Sequence, residues 1–333
     1  MIKKYFPGGN TGFGFYNCFE HIKCYDEEEY NTIILKGGPG VGKSTLMKNV
    51  ANEAIKMGYD VSHFFCSGDP KSYDAIKIRE TKTIIVDGTA PHIIDPEYPG
   101  VLDEIVNLGV YISPEIKARK EELMMYFAKN RYEYTRCYGY LNTAMTLDAS
   151  NKKAYMYAFD EKLIDSAIRK HIKPDISVSK PRRKMFIDGI TCDGYVSFKE
   201  TIKGENVILV SGRMASYFMD RVNYLASAYS AELFLDLLNP ENIKHIYIPE
   251  LDMWFTTANI SCDTVYEDRD FKKDEISDYT FFNEAECEIL VANAIRHLVS
   301  CKLAHDEIEN IYKEYVDFKG IDKEHRNLID RVL

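Results

Sequence analysis

What the chain has little of narrows it first. Basic residues are outnumbered, 42 against 52 acidic ones, for a formal net charge of −10. A surface of that sign disfavours a general role on nucleic acid or an anionic membrane, though it leaves room for a local basic patch. No apolar run approaches the length of a membrane span. Met1-Ile2-Lys3-Lys4 lacks the apolar core of a signal peptide. The eight cysteines follow no disulfide-framework spacing, which points to reduced thiols and a cytoplasmic protein. Cys18, His21 and Cys24 supply three candidate metal ligands, one short of a structural zinc set.

What is present is a globular composition, 45% hydrophobic and 28% charged, over 333 residues, enough for two ordinary cores. The stretch that organises it is Thr32 to Thr45. An apolar run, Ile33 to Leu35, enters Gly37-Gly38-Pro39-Gly40-Val41-Gly42-Lys43-Ser44-Thr45, and helical spacing follows at once (Leu46, Met47, Val50, Ala51, Ala54, Ile55). This is the phosphate-binding P-loop pattern with strand before and helix after. Glycines let the backbone take φ > 0 and turn its N–H groups toward an anion, and the helix start adds its positive dipole end. Lys43 is expected to reach the β- and γ-phosphates, and Ser44 to ligate Mg²⁺.

Thr83-Ile84-Ile85-Val86-Asp87 reads as a buried strand delivering a carboxylate to the sheet edge beside that metal, a Walker B pattern with Ser44 and Asp87 as the metal pair. No glutamate follows Asp87, so His92, Asp95 and Asp69 are the candidates to orient water or substrate. All three lie on loops leaving strand ends, where open α/β sheets bind ligands. For His92 a structural and a catalytic role both fit. The missing Asn-Lys-x-Asp motif tilts the base toward ATP over GTP.

From Ser113, an N-cap followed by Pro114 and Glu115, the pattern turns helical: to about Cys137, then Tyr140–Leu147, then Lys152 to about Ile168. This arm, about 113–172, is rich in tyrosine and offers a lid, a protein-partner surface or a packed subdomain. Lys180-Pro181-Arg182-Arg183-Lys184 reads as a solvated linker. After it the chain repeats. Met185–Tyr195 lies over Tyr5–Phe15, and Val207–Met219 over the P-loop region, with Gly212 on Gly40 and Ser216 on Ser44. Met214 and Ala215 stand where Gly42 and Lys43 do, and Thr257 stands for Asp87. Arg213 sits where Val41 does, as a solvated arginine, a filler of the anion site, or a cation aimed at the first nucleotide. The Gly-rich opening recurs without the phosphate lysine, so it serves structure. Asn283–Ala304 and Gly320–Leu333 read as closing helices.

Leu35–Thr45, Cys66-Ser67-Gly68-Asp69-Pro70, Val86–Pro96, Tyr98-Pro99-Gly100 and His305-Asp306-Glu307-Ile308-Glu309 together resemble a family of uncharacterised bacterial tandem P-loop NTPase-like ATPases. The resemblance implies an α/β fold of tandem P-loop NTPase-like, three-layer αβα domains, each with a helical arm, and nucleotide binding. The expected division is 1–178, with its arm, and 179–333, a degenerate repeat closed by helices. The expected activity is Mg²⁺-dependent ATP hydrolysis in the first half, with Lys43, Asp87 and His92 catalytic and one nucleotide per chain. A small-molecule kinase and a non-hydrolysing nucleotide sensor with a protein partner are the alternatives.

Overall fold

The computed structural model describes residues 2–23, 29–262, 264–273 and 279–333. The first half opens with strand β1 (Lys3–Tyr5), the hairpin β2 (Gly8–Thr11) and β3 (Gly14–Asn17), and one helical turn, α1 (Glu20–Lys23). β4 (Asn31–Lys36), α2 (Lys43–Lys56), β5 (Val61–Phe65), β6 (Tyr73–Ile78), β7 (Thr83–Asp87) and β8 (Asp103–Asn107) follow. A long helix, α3 (Lys120–Met156), and a short one, α4 (Glu161–Ile168), come next. The second half runs through the same series. It has β9 (Arg182–Met185), β10 (Asp188–Thr191), β11 (Gly194–Ser197), β12 (Asn206–Val210), α5 (Ala215–Leu225) and β13 (Ala231–Leu235). β14 (Ile243–Ile248), β15 (Met253–Thr256), β16 (Thr264–Tyr266), α6 (Tyr279–Lys313) and α7 (Phe318–Val332) complete it.

The two six-stranded sheets have the same order, β1-β5-β6-β7-β4-β8 and β9-β13-β14-β15-β12-β16. In each, one strand (β6 or β14) runs against the rest, and the register slips at matching points, Phe64/Phe65 and Phe234/Leu235. The hairpins repeat down to their turns. Thr11 Oγ1 accepts from Phe13 N and donates to Gly14 O, and Thr191 Oγ1 does the same with Asp193 N and Gly194 O. Gly14 (φ 92°) and Gly194 (φ 97°) supply the left-handed residue each turn requires. The Gly-rich opening is thus a hairpin, and it joins the halves. Phe6 and Phe186 exchange backbone hydrogen bonds of 2.8 and 3.1 Å, and Asn10 Nδ2 donates to Ile190 O at 2.8 Å.

Alternation along the central strands sorts the core. Ile33, Leu35, Ile76 and Ile85 face α2, while Ile34, Ala75, Ile84 and Val86 face the other way. That second face joins one core shared by both halves, with Phe19 and Ile22 from the first, Phe186, Phe234 and Trp254 from the second, and Cys137 and Leu141 of α3 with Ala294 and Leu298 of α6. The mixed α/β class holds.

Apolar spacing divides 113–172 into three helices, yet α3 runs unbroken through Gly139 for 37 residues. Its partner explains this: α6 lies antiparallel along it. Leu123 packs with Ile308 and Ile311 at one end, His297 Nδ1 meets Glu133 Oε2 at 2.7 Å midway, and Cys287 donates to Ala144 O near the other. At 1.5 Å per residue α3 spans about 55 Å, long enough to leave one half and reach the other. The closing helices are accordingly exchanged. α4 packs on α5, with Ile164 and Ile168 against the second sheet's core and Arg221 bidentate to Asp165 at 2.7 and 2.8 Å. α7 packs on α2, with Ile321, Leu328 and Val332 in the first sheet's core. Packing units therefore interleave the segments 1–178 and 179–333.

The basic run 180–184 is not a solvated linker. Arg182–Met185 is the edge strand β9, and Arg183 is buried beside Glu232 (3.4 Å) and the rings of Tyr5 and Phe64. A charge run mimics a linker only until its partner strand is known.

Candidate functional site

β4 ends at Lys36, and a six-residue loop leads to α2. Gly40 (φ 73°) and Gly42 (φ 88°) take left-handed conformations, so the chain can wrap and still enter a helix at Lys43. The N-cap residue of α2, Gly42, has no side chain to cap the helix, which leaves its first amides for an anion. Lys43 Nζ folds back on the carbonyls of Gly37 (2.9 Å) and Gly38 (3.0 Å) and stands 3.6 Å from Asp87 Oδ2. Asp87 arrives there because β7 pairs directly with β4, Leu35 opposite Asp87. Its other oxygen, Oδ1, accepts from Thr89 N and Oγ1 at 2.9 and 2.6 Å. Ser44 Oγ accepts from Tyr73 N at 2.9 Å, which pins α2 to β6. Pro39 and Val41 shape the loop, Val41 fully buried, while Thr45 points to solvent.

β6 also brings a residue that the sequence reading passed over. Asp74 is buried next to the Lys43–Asp87 pair; burial pushes its carboxyl up to about 6, His92 opposes this, and Asp87 adds to it. His92 lies 3.8 Å from Asp74 Oδ2, donates from Nδ1 to Asp87 O at 2.9 Å, and stacks on Phe19 at 4.3 Å. The structure thus brings Lys43, Ser44, Asp87, His92 and Asp74 together. The only signal for Asp74 was a carboxylate inside an apolar strand. Asp95 and Asp69 are engaged elsewhere. Asp95 is 78% exposed and pairs with Lys36; Asp69 holds its own turn (Lys71 N, 3.0 Å) and pairs with Lys302 of α6.

The donor set suits a hard cation. A hydroxyl and a carboxylate are the few protein ligands Mg²⁺ takes when phosphate oxygens and water supply the rest. A protein-only cage is a different matter: among the described residues no group of three or more His, Cys, Asp or Glu side chains could hold a metal. In the cysteine–histidine stretch, burial pushes the Cys18 thiol up to about 12 and lowers the pKa of His21. Cys24 lies outside the described residues.

The second half differs at the equivalent place. β12 pairs with β15 so that Leu209 stands opposite Thr256, as Ile34 stands opposite Val86. This sets Gly212 on Gly37 rather than on Gly40. α5 begins three residues later at Ala215, whereas α2 begins six residues after Gly37 at Lys43. The loop is three residues shorter, and its amides at the helix start already have a carboxylate partner. Asp268 accepts from Arg213 N (3.0 Å) and Met214 N (2.9 Å), and a Cβ on Gly212 would meet its carboxylate at 2.4 Å. Arg213 is no solvated arginine. It is 15% exposed, with Nε 3.1 Å from Glu284 of α6.

Among the described residues no helix is long and apolar enough to cross a membrane. No protein-family model, no curated protein and no solved structure matches the chain, so the resemblance to tandem P-loop ATPases rests on the motif residues alone.

Proposed function

We propose that the first half binds ATP with Mg²⁺ and hydrolyses it, in the cytoplasm, and that the second half is a pseudo-domain without nucleotide. The observation that carries this reading is Lys43 at the uncapped start of α2, behind a glycine loop and 3.6 Å from Asp87. Lys43 would leave the Gly37 and Gly38 carbonyls for the β- and γ-phosphates, and the loop amides would take the remaining oxygens. Ser44 and Asp87 would hold Mg²⁺, which when bound supplies charge neutralisation at the phosphates. His92 is fixed by Asp87 O and Phe19, and its Nε2 lies 3.8 Å from the buried Asp74 carboxylate.

The test is thermal melting with Mg·ATP. A hundredfold excess over Kd stabilises a one-site protein by about 2.7 kcal/mol. Lys43→Ala is expected to lose most of that shift, and Asp87→Asn to cut turnover far more than ADP affinity. A shift unchanged in Lys43→Ala refutes the site. One observation favours a second reading, a nucleotide sensor: Gly88, not a carboxylate, follows Asp87. Tight ATP binding without turnover separates the two.

A further inference from the structure

The first half's loop is closed from outside by the second half. A Cβ on Gly38 would lie 2.5 Å from Tyr312 Cε1. One on Gly40 would lie 3.0 Å from Glu309 O and 3.4 Å from Lys313 Cγ, and one on Gly42 would lie 3.5 Å from His325 Cε1. The glycines therefore admit the end of α6 and the first half of α7 to near-contact with the loop. This approach follows from the helix exchange. Ser113 N donates to Tyr315 O at 2.7 Å and Asp317 N to Tyr111 O at 2.9 Å, clamping the α6–α7 turn beside the loop. On α6 itself, His305, Glu309 and Lys313 follow one another at helical spacing. Lys313 Nζ is 3.0 Å from Glu309 Oε2, and His305 Nε2 is 3.4 Å from Glu309 Oε1.

We propose that Lys313 is a cation supplied across the halves to the terminal phosphate of the nucleotide, parked on Glu309 until that phosphate arrives. The inference rests on the nucleotide reading above. Its stem already passes Gly40, and a lysine carries its charge on a flexible four-carbon arm that can swing. The parking pair is weak: the two side chains are 46% and 31% exposed, and such pairs contribute at most about 1 kcal/mol. A terminal phosphate brings up to two charges and three acceptor oxygens, so it outcompetes a single carboxylate. A cation delivered from outside the loop is the kind of group that stabilises charge on a transferring phosphoryl. Arg213, held by Glu284, does not take this part.

Calorimetric titration of Mg·ATP and of Mg·ADP into the full chain, Lys313→Ala and Lys313→Arg tests it. Lys313→Ala is expected to lose about tenfold or more in ATP affinity, the size of a charge-assisted hydrogen bond, while ADP affinity stays put. Lys313→Arg is expected to recover most of the loss, and a melting temperature unchanged without nucleotide shows that the fold is intact. Equal loss for ATP and ADP, or no loss for either, overturns the role of Lys313. A wild-type chain that binds neither nucleotide overturns the nucleotide reading itself and this inference with it.

Discussion

Replacing Asp74 by Asn tests the buried carboxylate directly. Burial pushes this group from an ordinary 3.8 up to about 6, so the folded state holds its proton more tightly than the unfolded chain does. A gap of about two pK units is worth about 3 kcal/mol at 1.36 kcal/mol per unit. The cost of an ionised Asp74 is absent below about pH 3.8, grows between pH 3.8 and 6, and is fully present above about pH 6. Asn has nearly the same shape and never ionises. Asp74→Asn should therefore match the wild type near pH 4 and exceed it by about 3 kcal/mol at pH 7 to 8. Unfolding entropy of about 2.1 cal/mol/K per residue over 333 residues turns that into a rise of about 4 °C in Tm. Scanning calorimetry with chelator and without nucleotide, from pH 4 to pH 8, reads it. A Tm difference that does not change with pH, or a variant less stable than wild type at pH 8, refutes a buried ionised carboxylate beside Lys43.

Three further outcomes are expected. Gly38→Ala, whose new methyl would meet the Tyr312 ring at 2.5 Å, should lower Tm by the equivalent of about 1–3 kcal/mol; Tyr312→Ala in the same chain should recover part of it, and no recovery would remove the contact. Asp268→Ala, which strips two amides of their acceptor, should cost about 1–2 kcal/mol, yet calorimetry should still count one ATP per chain because the loop remains too short; two equivalents would refute the pseudo-site. Arg213→Ala should leave turnover within about twofold of wild type and lower stability instead by breaking the pair with Glu284; a hundredfold drop in turnover with binding intact would restore a catalytic role.

What the sequence determined by itself was local. The turn into α2 was legible because glycines at Gly40 and Gly42 and a strand ahead of them allow few other backbone paths. The hairpin at Thr11–Gly14 and its copy at Thr191–Gly194 were legible as a repeat because a tight turn is specified by the residues inside it. Asp87 was legible because an apolar run ending in a carboxylate places that carboxylate at a strand end. Only the tertiary structure decided the rest, since each remaining feature depends on a partner far along the chain. Asp74 joins the site through the lateral pairing of β6 with β7, which no residue near Asp74 encodes. Arg183 reads as a linker charge until Glu232 and Tyr5 close around it. The shortened second loop emerges from strand register, which no residue within the loop encodes. Tyr312 and Lys313 reach the first half's loop because two helices of 37 and 35 residues run antiparallel and carry their ends across. A long helix's direction is set by what it packs against, and that contact is made between halves rather than within either.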